Sequence, residues 1–494
     1  MALRYTGRVP YRVLFVTAEY APLAKTGGLA DVSTALTRYL HRRGDDVRVF
    51  VPFYRRIAEQ RLSLAPVEFL QDLELSLGQH RYRYRILTGA APGTELPLYF
   101  VDCPALFDRP GVYSADPDEH RRFLALTRAA LDCAQRMGFA PHVLHCNDWH
   151  TAFGPLLLKT AYAWDRLFSA TRSVLTIHNI GYQGVFGAGH AAELGLGEAT
   201  WLLHQEDLAA GRINSMLHGV LYADLVTTVS PTYAREICTP EFGLGLDPFL
   251  RARGERLVGI LNGVDYDEWD PERDLYLPIH FTRDDLAGKA ALKRAFLERL
   301  GIRARPETPL FGIVSRLVAQ KGIELMMPAL PQLLSERDCT LVALGSGERR
   351  YEDFFAWLEA AFPGRVVYHR GYSEELAHWI EGASDAFLMP SLYEPCGLNQ
   401  MYSLRYGTIP VVRRTGGLAD SVSLYAPARG SGTGIVFEHY DAAALRWAVE
   451  TTLELHRQPH HWRQLMANAM AQDFSWERQG ALYIDEYRRL VGPD

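Results

Sequence analysis

Arg316 and Lys321 bracket a short run, Ser315-Arg316-Leu317-Val318-Ala319-Gln320-Lys321-Gly322, that follows an apolar stretch typical of a buried strand. On one helix the two cations would diverge by well over a right angle, so a loop that ends a strand and opens a helix near Gly322 suits them better. There both can meet one diphosphate, each charge-assisted contact worth about 1.5–3 kcal/mol. The competing reading is a solvated surface pair. A second cluster, Tyr393-Glu394-Pro395-Cys396-Gly397-Leu398, sets one carboxylate beside a proline that fixes the backbone and a glycine that admits close approach. With a helix starting near Leu398, Glu394 either holds sugar hydroxyls or caps that helix.

The hexapeptide Thr-Gly-Gly-Leu-Ala-Asp occurs twice, at Thr26 to Asp31 and at Thr415 to Asp420. Lys25 adjoins the first copy, and Arg413 and Arg414 precede the second. A strand, a glycine pair and a helix start make a phosphate cradle, because the backbone can approach closely and the helix dipole favours negative charge. Either copy alone reads equally as a tight strand-to-helix turn. Their duplication beside cations points to two nucleotide-fold halves serving one ligand.

His178-Asn179 follows the apolar run Val174 to Ile177 and precedes Gly181-Tyr182-Gln183-Gly184, a position open to chemistry as well as to structural hydrogen bonding. His142, His145, Cys146, Asp148 and His150 crowd together, but along a strand His142 and His145 point to opposite faces. Asp148-Trp149-His150 reads better as a polar and aromatic surface for a sugar ring than as a metal site. Asp116 and Asp118, like Asp265 and Asp267, are explained by helix capping and turns. There is no Gly-x-x-x-x-Gly-Lys-Ser/Thr loop and no Gly-x-Ser-x-Gly elbow, and Gly345-x-Gly347 lacks the third glycine of a dinucleotide fingerprint.

The elements that must position these residues alternate between short β-rich runs and helical patterns, which argues for parallel sheets covered on both faces. Strands are expected near Val13 to Thr17, Val47 to Val51, Val143 to Cys146, Val174 to Ile177 and Leu225 to Val229. Helices are expected at Asp118 to Met137 and Pro231 to Cys238, with a hairpin or small antiparallel edge in the detour from about Leu62 to Val101. A second half restarts at Leu310 to Val314 and repeats at Leu341 to Leu344, Val366 to His369, Ala386 to Met389 and Ile409 to Val412. Asn262 to Pro278 reads as a linker. The last helix, about 475–490, could pack on either half. In such sheets ligands bind beyond the carboxyl ends of the strands, where nearly all of these motifs fall.

With 494 residues, two domains are the default. The 48% hydrophobic and 22% charged content is ordinary for a globular protein, and no segment reaches the apolar length of a membrane span. A formal charge of −6 argues against nucleic acid as the main partner. The polar, basic start and six scattered cysteines without Cys-x-x-Cys spacing lead to the expectation of a cytoplasmic, reduced protein without a disulfide framework.

Taken in order, Lys25 to Val32, Asp148-Trp149-His150, His178-Asn179, Asn262-Gly263-Val264-Asp265, Arg316 with Lys321, Glu394 to Leu398 and Thr415 to Asp420 resemble the bacterial glycogen synthase and plant starch synthase family over nearly the whole chain. The resemblance implies the GT-B fold: two Rossmann-like α/β domains, 1–262 and 263–474, with an interdomain cleft and a final helix, about 475–494, crossing back to the first. It implies transfer of glucose from ADP-glucose to the non-reducing end of an α-1,4-glucan, with retention and with neither metal nor resident cofactor. In that family pattern Arg316 and Lys321 neutralise the departing diphosphate, assisted by N–H groups of Thr415, Gly416 and Gly417. Glu394 holds sugar hydroxyls, the Cys396, Gly397 and Leu398 backbone fixes the hexose, and His178 lines the reacting face. Lys25 and Gly28 reach the donor from the other domain, while Glu19, Asp148, Asn179 and Asn262 match positions around donor or acceptor. Gly181 and Asn147 depart from the commoner alanine and histidine. Base choice between ADP- and UDP-glucose is not written in these residues. Tyr372 could stack on a base or be a buried structural tyrosine. A nucleotide-sugar epimerase and a non-catalytic glucan binder are the rival readings.

Overall fold

Strands covered on both faces need apolar residues at every position, and the chain supplies them: Val13, Leu14, Phe15 and Val16 are fully buried. The computed structural model describes residues 10–197 and 199–492; the polar start at 1–9 and the last two residues of the expected final helix lie outside them. Arg12–Val16 belongs to a 10-stranded sheet ordered Leu257–Gly259, Leu225–Thr228, Arg172–Ile177, Val143–Asn147, Arg12–Val16, Asp46–Pro52, Pro97–Asp102, His80–Ala90 and Ala65–Pro66. Its pairing is parallel up to Pro97–Asp102 and antiparallel beyond, where Leu73–Leu77 also joins His80–Ala90. Leu73–Leu77 alternates buried and exposed residues, the mark of an edge with one face in water.

A second sheet has six strands, ordered Val366–Arg370, Thr340–Gly345, Leu310–Val314, Ala386–Met389, Ile409–Arg413 and Ile435–Phe437, all parallel. The chain divides into two compact units around these sheets. One runs to Val229 and takes in Ala234–Gly263 and the chain from Trp476; the other is Ser230–Tyr233 with Val264–Ser475.

Each sheet reverses its strand order once. In the first unit the reversal falls between Arg12–Val16 and Val143–Asn147, and in the second between Leu310–Val314 and Ala386–Met389. Loops leaving two such neighbours diverge to opposite faces and open a crevice at their carboxyl ends. Helix Gly28–Arg42 follows the first of these strands, carrying Asp31 in its first turn and His41 and Arg42 in its last, signs that suit its dipole.

Trp476–Val491, the last helix, belongs to the first unit. Gly480 makes that packing possible, since a Cβ there would stand 2.4 Å from the Tyr39 ring. Further along, the Tyr487 hydroxyl lies 2.6 Å from His145 Nδ1, and His145 Nε2 lies 2.6 Å from Thr176 Oγ1. Burial pulls His145 down to about 3, so its ring is a neutral bridge rather than a ligand awaiting a metal. Tyr487→Phe is expected to cost about 1–3 kcal/mol by leaving a buried ring nitrogen unpaired. A urea midpoint equal to that of the unaltered chain would show that the bond carries no stability.

Two sequence expectations need correction. Pro231–Glu236 is shorter than the helix expected to Cys238. From Val264 onward, the stretch read as a linker is part of the second unit's core: Trp269 is buried, stacked on His378 with ring centroids 3.7 Å apart and on Tyr402 at 3.9 Å. Asp274, 2% exposed, accepts a 2.5 Å hydrogen bond from the Tyr406 hydroxyl and pairs with His378 Nδ1 at 2.8 Å. Turn-rich composition concealed these anchors.

Candidate active site

At the reversal in the second sheet, the loop after Leu310–Val314 brings Lys321 to the loop after Ala386–Met389. Lys321 Nζ is 2.7 Å from Glu394 Oε2, which also accepts a 2.9 Å hydrogen bond from Ser391. Glu394 is 4% exposed, so this carboxylate is held by a cation and a hydroxyl and does not cap the following helix. Leu392 N–H donates to the Gln320 carbonyl at 2.9 Å, tying the loops together. Gly322, at φ 73°, approaches so closely that a Cβ would meet the Pro390 carbonyl at 2.0 Å.

Arg316 is exposed and its guanidinium makes no hydrogen bond or ion pair among the described residues. Its loop is braced from the side by Leu317 N–H to the Ser346 carbonyl and Glu348 N–H to the Leu317 carbonyl, both 2.8 Å. Gly345 and Gly347 belong to this brace, since added methyls would meet the carbonyls of Ser315 and Leu317 at 2.1 and 2.2 Å. They serve loop packing, which explains why the dinucleotide pattern is incomplete.

One N–H of the second glycine pair is already engaged. Gly417 N–H donates to the carbonyls of Glu394 and Pro395 at 3.0 and 3.2 Å, and is thereby withdrawn from any phosphate. Gly416, at φ 42°, would place a Cβ 1.9 Å from the Glu394 carbonyl, and Gly417 one 2.1 Å from that of Cys396. Thr415 begins the short helix Gly416–Ser421. This turn is the platform on which the Glu394 loop rests. On that platform Cys396 is buried, Gly397 is at φ 72°, and the N–H groups of Gly397 and Leu398 carry no hydrogen bond among the described residues.

Tyr372 lies beyond strand Val366–Arg370 and is 64% exposed, which removes the reading of it as a buried structural ring. Its hydroxyl donates to Glu374.

In the first unit the reversal gathers Glu19, Asp148 and His178. Asp148 adopts φ 53°, an uncommon left-handed conformation for a residue with a side chain. Its Oδ1 accepts the N–H of His178 at 2.7 Å and of Asn179 at 3.3 Å. Burial nonetheless raises the carboxyl to about 7. The folded chain therefore binds this proton more tightly than the unfolded one, whose carboxyl titrates near 3.8, and the group's contribution to stability falls as pH rises between those values. Asp148→Asn is expected to flatten that slope, by ~4 kcal/mol as an upper bound. Parallel urea titrations of both proteins at pH 4.5 and pH 7.5 check this, and identical slopes would refute it.

His178 Nε2 faces Asn147 Oδ1 at 3.0 Å, and burial depresses the ring to about 3. It is a neutral imidazole at any working pH. Asn262 is 4% exposed with its Oδ1 lacking a hydrogen-bond partner among the described residues, an acceptor awaiting a donor.

Glu19 behaves differently from the position around substrate that the resemblance implies. Its oxygens accept from Thr26 N–H and Oγ1, both at 2.6 Å, from Gly27 N–H at 3.2 Å and from the Tyr113 hydroxyl at 2.5 Å. It pins the first glycine turn from inside. Lys25 pairs with Asp31 at 2.8 Å across Gly28 and stays partly exposed. Tyr113, which also stacks on His150 with centroids 4.8 Å apart, was not legible in the sequence because it sits in an irregular stretch without periodicity.

Asp118 stands at the start of helix Glu119–Arg136 but makes no cap; its carboxylate pairs with Arg109 at 2.6 Å. A cavity of about 500 Å³, bordered by Trp149, Tyr182, Gln183, Val185 and Leu244, opens beside the Asn179 loop. Gly184 shapes it, at φ 62° and so near Trp149 that a Cβ would stand 2.2 Å from the ring.

Residues 12–252 match the family model described as starch synthase catalytic domain, and residues 298–467 that of glycosyl transferases group 1. Glycogen synthase from Anaeromyxobacter dehalogenans (strain 2CP-C) is 45% identical, covering 97% of this chain and 100% of its own. That of Syntrophotalea carbinolica is 41% identical, over 97% and 99%. The catalytic domain of starch synthase IV from Arabidopsis thaliana, solved bound to ADP and acarbose, is 34% identical and superposes with a TM-score of 0.90 over 98% of this chain and 100% of that one. The two α/β units are thus those of a GT-B glycosyltransferase, and the chain belongs to the glycogen synthase and starch synthase family.

Proposed function

We propose that this glycosyltransferase moves glucose from ADP-glucose to the non-reducing end of an α-1,4-glucan with retention of configuration, using no metal and no resident cofactor. One observation carries the reading: a buried carboxylate, Glu394, ion-paired to Lys321 at the strand reversal, with the exposed guanidinium of Arg316 on the same loop. Both cations are supplied by the chain to draw charge onto the departing diphosphate. Glu394, already oriented by Lys321 and Ser391, holds hexose hydroxyls through its remaining lone pairs. The N–H groups of Gly397 and Leu398 fix the same sugar.

Tyr372 offers an exposed ring for the adenine. In the first unit His178 is a neutral ring, and the Asn262 amide oxygen is an acceptor left for a hydroxyl. Trp149 and Tyr182 give aromatic surface to the glucan. Among the described residues no helix is long and apolar enough to cross a membrane.

The test is incubation with maltotriose and either ADP-glucose or UDP-glucose. Chain-lengthened products formed at least tenfold faster from ADP-glucose are expected. Faster extension from UDP-glucose, or an altered free nucleotide sugar without extension, would overturn the reading.

A further inference from the structure

His378 sits within helix Glu374–Ala383 with its side chain fully buried, yet its Nε2 has no hydrogen-bond partner among the described residues. A buried polar nitrogen without a partner is unusual enough to require an explanation. That nitrogen is aimed at two carboxylates. Glu374 Oε1 lies 3.8 Å away, beyond hydrogen-bond reach, and the ligand-bearing atoms of Glu268, Glu374 and His378 all lie within 4.8 Å of one another.

The other ring nitrogen, Nδ1, is held 2.8 Å from Asp274 Oδ2, a carboxylate itself fixed by the Tyr406 hydroxyl. Trp269 stacks on the ring face at 3.7 Å with the planes 12° apart, so the imidazole cannot turn. An imidazole oriented by a carboxylate on its far nitrogen, presenting the near nitrogen to acidic groups, is how proteins prepare a histidine for a metal. Glu374 and His378 are four positions apart on one helix, and so share a face.

We propose that Glu268, Glu374 and His378 bind a divalent transition-metal ion, with Zn²⁺ the best fit, at a site independent of the transfer reaction. One imidazole and two carboxylates suit such an ion and leave a position for water. With each ligand about 2.1 Å from the ion, the atoms must draw together by roughly 1–1.5 Å, which the exposed Glu268 and the half-exposed Glu374 can do while His378 stays fixed.

Among the described residues, the other grouping of three ligand-type side chains, His120, His190 and Glu193, lacks this character. There Arg121 already engages both oxygens of Glu193, at 2.8 and 2.7 Å.

Calorimetric titration of the chelator-treated full chain with ZnCl₂ tests the site, with Glu268→Gln and His378→Gln beside it. One equivalent is expected to bind at micromolar Kd or tighter, weakened at least tenfold by Glu268→Gln and abolished by His378→Gln. Metal-free glucosyl transfer by Glu268→Gln, an exposed position, should equal that of the unaltered chain. Absence of a one-to-one event, or an unchanged Kd in Glu268→Gln, would overturn the proposal even if His378→Gln failed to fold.

Discussion

Lys321→Ala is expected to lower kcat by about 10²- to 10³-fold while moving the KM for glucan by less than about threefold. The asymmetry follows from where charge develops. A diphosphate gains negative charge as the glycosidic bond breaks, so a fixed ammonium does more for the transition state than for bound substrate. Lys321 also neutralises Glu394, which is 4% exposed. Removing one partner of such a pair leaves a carboxylate in a poorly solvated place, so part of the loss is misplacement of Glu394. Glu394→Ala should give a similar profile. Initial rates at varied ADP-glucose and glucan decide the matter, together with a denaturation midpoint to show that each variant is folded. Equal losses in turnover and glucan affinity would contradict the assigned roles.

The second large effect separates two copies of one hexapeptide. Gly416→Ala is expected to cost about 3 kcal/mol or more, whereas Gly27→Ala, at the corresponding position of the first copy, should cost under about 1 kcal/mol. Gly416 combines φ 42° with a Cβ position 1.9 Å from the Glu394 carbonyl, so either the turn or the Glu394 loop must give. Gly27 has extended backbone at φ −163° and nothing within 4 Å of an added methyl. Urea unfolding of both variants reads the difference. Comparable midpoints would mean that the Glu394 loop does not rest on its neighbour.

What could be read from the residues alone was set by periodicity and position. Runs such as Val13 to Val16 and Leu341 to Leu344 are apolar throughout because both faces are covered, so the parallel strands were legible, and with them the loops that carry Arg316, Glu394 and His178. Short strands were not: Leu257–Gly259 and Ile435–Phe437 are too brief to show a pattern. The partners of each motif were also hidden. Nothing local tells that Glu19 turns inward to hold Thr26, or that Gly417 N–H serves the Glu394 loop, because both depend on chain segments brought together by the sheet. Cation and carboxylate could be named separately, but their 2.7 Å pairing is a product of topology.

Trp269 has a practical consequence for anyone dissecting the molecule. A fragment trimmed to 298–467 discards the indole that fills the slot between His378 and Tyr402, and with it the Asp274 carboxylate that Tyr406 and His378 require. Such a piece would expose aromatic faces and clump. Truncations meant to yield a usable second unit should begin no later than Val264.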